Sequence, residues 1–140
     1  MISIDVVAET DLWSKKIKKK DIFFNSLVRF FQKKYRFIKK KISLTVLLSD
    51  NKSIKKLNNK FRNKNKSTDV LSFPFLSNKD FRLSKEKNIY IGDIATSFEI
   101  IKGRSKKSSF DIEFDKVWIH GLLHLIGYDH IKNKDYILIN

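Results

Sequence analysis

Apolar and polar residues alternate through ISIDVVAE, Ile2 to Glu9, and predict a strand near the start of the chain. A basic run, SKKIKKK (Ser14 to Lys20), leads into DIFFNSLVRFFQKKYRFI. Phe23, Leu27, Phe30 and Phe31 recur there at helical spacing, packed as a core stripe, and Asp21 is placed to cap the start. KISLTVLLSD (Lys41 to Asp50), rich in β-branched residues, predicts a second strand. SIKKLNNKFR (Ser53 to Arg62) reads as a short helix with Ile54, Leu57 and Phe61 inward. After a polar turn a short strand runs from Asp69 to Phe73. Pro74, which lacks a ladder donor, then marks an edge position or a strand end. NIYIGDIATS (Asn88 to Ser97) is a further strand, in which Gly92 signals a bulge or a close backbone approach. FEIIKGRSKK is a brief helix stopped near Gly103. SSFDIEFDKVWIHGLLHLI is the last long helix, with Ser108 and Asp111 spaced as a capping box. The order βαβαββαα predicts an α+β fold, a single mixed sheet of about four strands with helices packed on it. The first crossover makes its two strands parallel. With no repeat or linker, residues 1–140 read as one domain.

Composition narrows the class. A hydrophobic content of 41% with 12 Phe is that of a globular chain rather than a disordered one. There are no cysteines, which excludes a disulfide framework and a thiolate metal site. The first residues lack the basic and apolar regions of a secretory signal, and no apolar run reaches the roughly 20 residues of a membrane span. A cytoplasmic protein without a membrane partner is expected. Lys+Arg number 30 against 15 Asp+Glu, a net charge of +15 that suits a polyanion such as nucleic acid. The basic residues are 25 Lys and only 5 Arg, in a chain also rich in Asn, Ile and Phe. Codon drift in an A+T-rich genome gives the same signature, so charge alone names no partner.

All 3 histidines fall within IHGLLHLIGYDH, as His120, His124 and His130. Residues four apart share a helix face, so His120 and His124 can aim at one point. Gly127 suits a helix end, and three residues later His130 can return to that point. Three neutral imidazoles so placed suit a divalent ion, Zn²⁺ first, one per chain, with one coordination position open as in catalytic sites. The metal site is therefore expected on the last long helix and the turn after it. The spacing HxxxHxxGxxH also matches the metzincin proteases, which need Glu directly after the first His and a later methionine turn. Here Gly121 follows His120 and the sole Met is Met1, so a protease is disfavoured.

HGLLHLIGYDH resembles the signature of the YbeY endoribonucleases, bacterial rRNA maturation factors. A second block, LNNKFRNKNKSTDVLSFPF (Leu57 to Phe75), and a third, IGDI (Ile91 to Ile94), stand in that family's order. The resemblance spans about Lys41 to His130. It implies a single-strand-specific, metal-dependent endoribonuclease in maturation of the 16S rRNA precursor at its 3′ end and in ribosome quality control. RNA and the ribosome are then the partners. It also places the ligands at His120, His124 and His130 and the family's functional arginine at Arg62. Ser67 and Phe98 stand where Pro is common, which implies a less rigid loop at Ser67. Only IKNKDYILIN follows the last His, where family members usually continue through an acidic helix.

The chemistry expected of such a site is activation of water, or polarisation of a phosphoryl oxygen, by the ion. Arg62 is the candidate to stabilise charge on the phosphate, since a guanidinium binds it as a bidentate fork. A solvated helix end is the other reading of Arg62. Lys60, Lys64 and Lys66 beside it suit an RNA backbone. Asp129, Asp93 and Asp69 are open candidates for a general base or for bracing a ligand, and each equally suits a turn residue. Phe73, Phe75 and Tyr128 offer stacking surfaces, although core packing is the simpler role for the phenylalanines. The competing function is a non-catalytic, metal-containing rRNA-binding assembly factor.

Overall fold

The computed structural model describes residues 2–14, 16, 41–75, 80 and 85–125. The aromatic helix expected near Phe23, the helix-ending Gly127, Tyr128, Asp129 and His130 lie outside the described residues. Strand β1 runs Ile2–Ala8, followed by a 3₁₀ turn at Asp11–Trp13, strand β2 at Lys41–Ser49 and helix α1 at Asn51–Arg62. Strands β3 (Val70–Pro74) and β4 (Asn88–Ser97) precede helices α2 (Phe98–Arg104) and α3 (Phe110–Leu125). The four strands form one mixed sheet in the order β1-β2-β4-β3. β1 and β2 are parallel as expected, β2 and β4 are parallel, and β3 is antiparallel to β4. Pro74 therefore sits on an outermost strand, where a missing donor is tolerated.

Period-two burial sorts the strands into two faces. Ile42, Leu44, Val46 and Leu48 of β2 and Ile89, Ile91 and Ile94 of β4 join Phe114, Trp118 and Leu122 of α3 in the main core. Ile54 of α1 meets Leu71 and Ala95 on the opposite face. The β2–β4 register shifts at Ser43/Leu44, skipping Ile91, and Gly92 follows at φ +142°. A Cβ there would lie 2.3 Å from the Phe73 carbonyl oxygen, so the close backbone approach expected at Gly92 is real. Trp13, unremarked in the sequence, is fully buried. Its Nε1 donates to the Ser49 carbonyl at 2.9 Å and its ring meets Phe98, Phe110 and Phe114 edge-on.

Three local expectations are corrected. Helix α1 begins at Asn51 because the Asp50 side chain accepts from the Ser53 N–H at 2.8 Å. On its inward face Asn58 is 2% exposed, whereas Phe61 is 59% exposed and not inward. Asn58 is drawn in because its Nδ2 donates to the Lys66 carbonyl at 2.9 Å. Helix α3 is capped by Ser109, whose Oγ accepts from the Ile112 N–H at 3.2 Å, while the Ser108 hydroxyl bonds Glu113.

Candidate active site

Helix α3 carries the histidines, and Gly121 sets how closely it rides on the sheet. A Cβ at Gly121 would stand 2.9 Å from Ile94 Cγ2 and 3.1 Å from Ser72 Oγ, and the Ser72 hydroxyl donates to the Gly121 carbonyl at 3.2 Å. The position after His120 thus points into the sheet and has no room for a carboxylate. His120 and His124, one turn apart, face the same space with Nε2 atoms 2.8 Å apart and ring centroids 4.5 Å apart. Burial, then the neighbouring His124, hold His120 below the usual imidazole range, while Asp69 pulls the other way. Among the described residues no three His, Cys, Asp or Glu converge as a metal site. The expected third ligand, His130, lies outside the described residues.

Arg62 reaches the same place from another element. It is the last residue of α1, which Asn63 ends in the left-handed conformation at φ 57°. Arg62, Asp69, Val70, Ser72, Pro74, His120, His124 and Leu125 line one cleft of about 370 Å³. Lys64 and Lys66 are exposed on the loop that follows Arg62 and are not part of this lining. That loop is tied at several points. Asn58 accepts the Lys64 N–H through its carbonyl, and the Ser67 hydroxyl donates to Asn51 Oδ1 at 2.8 Å. The Ser97 hydroxyl bonds the same Asn51 oxygen. At the position where Pro is common, the Ser67 hydroxyl thus supplies an anchor that a proline lacks.

Of the two candidate carboxylates among the described residues, Asp69 is in the cleft lining. Its Oδ2 pairs with Arg104 at 2.6 Å, its Oδ1 accepts from the Thr68 hydroxyl at 3.3 Å, and its carbonyl takes the Ser97 N–H. Asp93 is not in that lining: the skip at Ile91 turns it to the sheet face opposite α3, where it bonds the Tyr90 hydroxyl. Asp129 lies outside the described residues. Arg104 and Asn51 were missed in the sequence. The scarcity of Arg that drew attention to Arg62 applied equally to Arg104, whereas nothing in the pattern marks Asn51.

The arrangement brings a guanidinium, two imidazoles and an anchored carboxylate around one opening, a set able to bind a phosphodiester and manage its protons. The chain matches a family model described as Endoribonuclease YbeY over residues 8–139. It is 56% identical over 138 residues to the Endoribonuclease YbeY of Pelagibacter ubique (strain HTCC1062), covering 97% of this chain and 88% of that protein. With the protein of the same name from Borreliella afzelii (strain PKo) it shares 45% over 92 residues, 64% of this chain and 60% of that one. A solution structure of a Thermotoga maritima protein superposes with a TM-score of 0.60 at 24% identity, covering 97% of this chain and 83% of the other, a likeness of fold. Matches of this extent make the chain a member of the endoribonuclease YbeY family.

Proposed function

We propose that this protein is a single-strand-specific, zinc-dependent endoribonuclease acting in 16S rRNA 3′-end maturation and ribosome quality control in the cytoplasm. One observation carries the reading: Arg62 and the His120–His124 pair, from separate elements, line a single cleft. The geometry of the two described histidines supports such an ion. Both Nε2 atoms point at one space, and nitrogens on a common tetrahedral Zn²⁺ stand about 3.3 Å apart, close to the present 2.8 Å. His120, His124 and His130 would hold one Zn²⁺ per chain, and the ion would supply Lewis acidity at the scissile phosphate.

The chain's own groups do the rest. Arg62 binds non-bridging oxygens and offsets the charge that builds on them. Burial and the neighbouring His124 shift His120 toward its neutral form, the form that binds a cation. Asp69, fixed by Arg104, is the anchored proton acceptor at the rim. Lys64 and Lys66, exposed on the loop that follows Arg62, meet the RNA backbone beside the cleft. Gly121 leaves no base beside the first histidine, consistent with a nuclease rather than a protease.

The net charge of +15 would serve equally a non-catalytic rRNA-binding assembly factor. Cleavage of single-stranded RNA by purified protein separates the two. Cleavage should vanish in His120→Ala and after chelation, return with Zn²⁺, and fall about 100-fold in Arg62→Lys, while RNA binding persists in all three. Equal faint cleavage in every sample would favour the assembly factor.

A further inference from the structure

Edge strand β3 separates the cleft from a row of rings. Its even residues Val70, Ser72 and Pro74 line the cleft. By the strand's alternation Phe73 and Phe75 fall on its other side. There the Phe73 ring meets Phe61 edge-on at 5.5 Å, and the Phe75 ring meets Tyr90 at 6.1 Å. Three of the four are strongly exposed: Phe61 at 59%, Phe75 at 73% and Tyr90 at 38%. Large exposed apolar groups grouped this way mark a contact surface rather than scatter.

We propose that this row is a stacking platform for bases of the substrate strand flanking the scissile bond, with Phe61 and Phe75 as its contact rings. The inference rests on the endoribonuclease reading of the cleft. RNA, rather than a protein, is favoured by what adjoins the rings. Phe61 directly precedes Arg62 of the cleft lining, and the Lys60 ammonium lies over the Phe61 ring at 5.2 Å, so positive charge and a π face are presented together. Stacking tolerates any base, which suits a platform for sequence-independent grip, while the histidines and Arg62 hold the bond to be cut.

The test uses fluorescence. Trp13 and Trp118 are fully buried, so Phe75→Trp adds the one exposed indole among the described residues. Single-stranded RNA should quench that emission, and an abasic strand of equal length and charge should not. In Phe61→Leu and Phe75→Leu, which keep bulk but lose the ring, KM should rise at least about five-fold with kcat unchanged. Emission that ignores RNA while cleavage proceeds overturns the platform and leaves the nuclease reading intact. So does emission that tracks protein concentration, which would put a protein contact there. Absence of cleavage in the unsubstituted protein would instead remove the nuclease reading, with RNA quenching still deciding the platform.

Discussion

Asp115, on α3 five residues before His120, is the carboxylate most perturbed by its surroundings among the described residues. Burial pushes it up to about 7, with nearby Asp111 acting the same way and the Trp118 indole N–H, which donates to Asp115 at 3.2 Å, opposing both. A carboxyl whose native value is raised binds more protons folded than unfolded between 3.8 and about 7. Stability therefore declines as pH rises through that window and stays reduced above it, by up to about 4 kcal/mol at roughly 1.4 kcal/mol per pKa unit. Asp115→Asn keeps an acceptor for the indole and removes the charge. Thermal unfolding should show the variant and the parent coinciding near pH 4, with the variant more stable by several degrees at pH 8. A constant gap at both pH values would count against the buried-charge account.

At the scale of elements, helix α3 and strands β3 and β4 depend on one missing methyl. Gly121→Ala places a Cβ against side-chain atoms of Ile94, Ser72 and Val70 at 2.9–3.3 Å, so those side chains must give or the helix must move outward, and any helix shift carries His120 with it. The expected loss is about 1–3 kcal/mol of stability by denaturant titration, with cleavage falling further than stability alone accounts for. These elements also show what the chain reveals before it folds. Alternation gave β4 its full extent, Asn88 to Ser97, and β2 to within a residue, because β-branched runs bounded by polar residues leave little choice. The pairing of His120 with His124 followed from helix geometry alone. Adjacent Ser108 and Ser109 could not be told apart as caps by spacing. Phe61 was turned inward by periodicity, since a helix wheel ranks Phe above Asn and cannot know that the Lys66 carbonyl needs the Asn58 amide. Asp93 looked like a site residue until the skipped Ile91 reversed its face, and a register shift leaves no mark in a single sequence beyond Gly92. Arg104 reaches Asp69 across 35 positions, a contact only tertiary packing creates.

For the molecule as a whole, charge governs how RNA is gathered. If Lys60, Arg62, Lys64 and Lys66 each neutralise one phosphate, log K for single-stranded RNA should fall against log salt with a slope near −2.8, at about −0.7 per contact. Lys64→Ala with Lys66→Ala should halve that slope. An unchanged slope, measured by anisotropy titration at several salt concentrations, would relocate the backbone contacts to other lysines.

Pro74 has a consequence for solubility. The amide of Phe75 donates inward to the Ile91 carbonyl and the Asp69 carbonyl accepts inward from Ser97, so the backbone groups of residues 70, 72 and 74 turn outward from the sheet. At the last of these positions proline offers no N–H to an incoming strand. The proline thereby guards this rim against the protein's own copies: supplying the amide, as in Pro74→Val, would leave an edge on which one molecule templates the next.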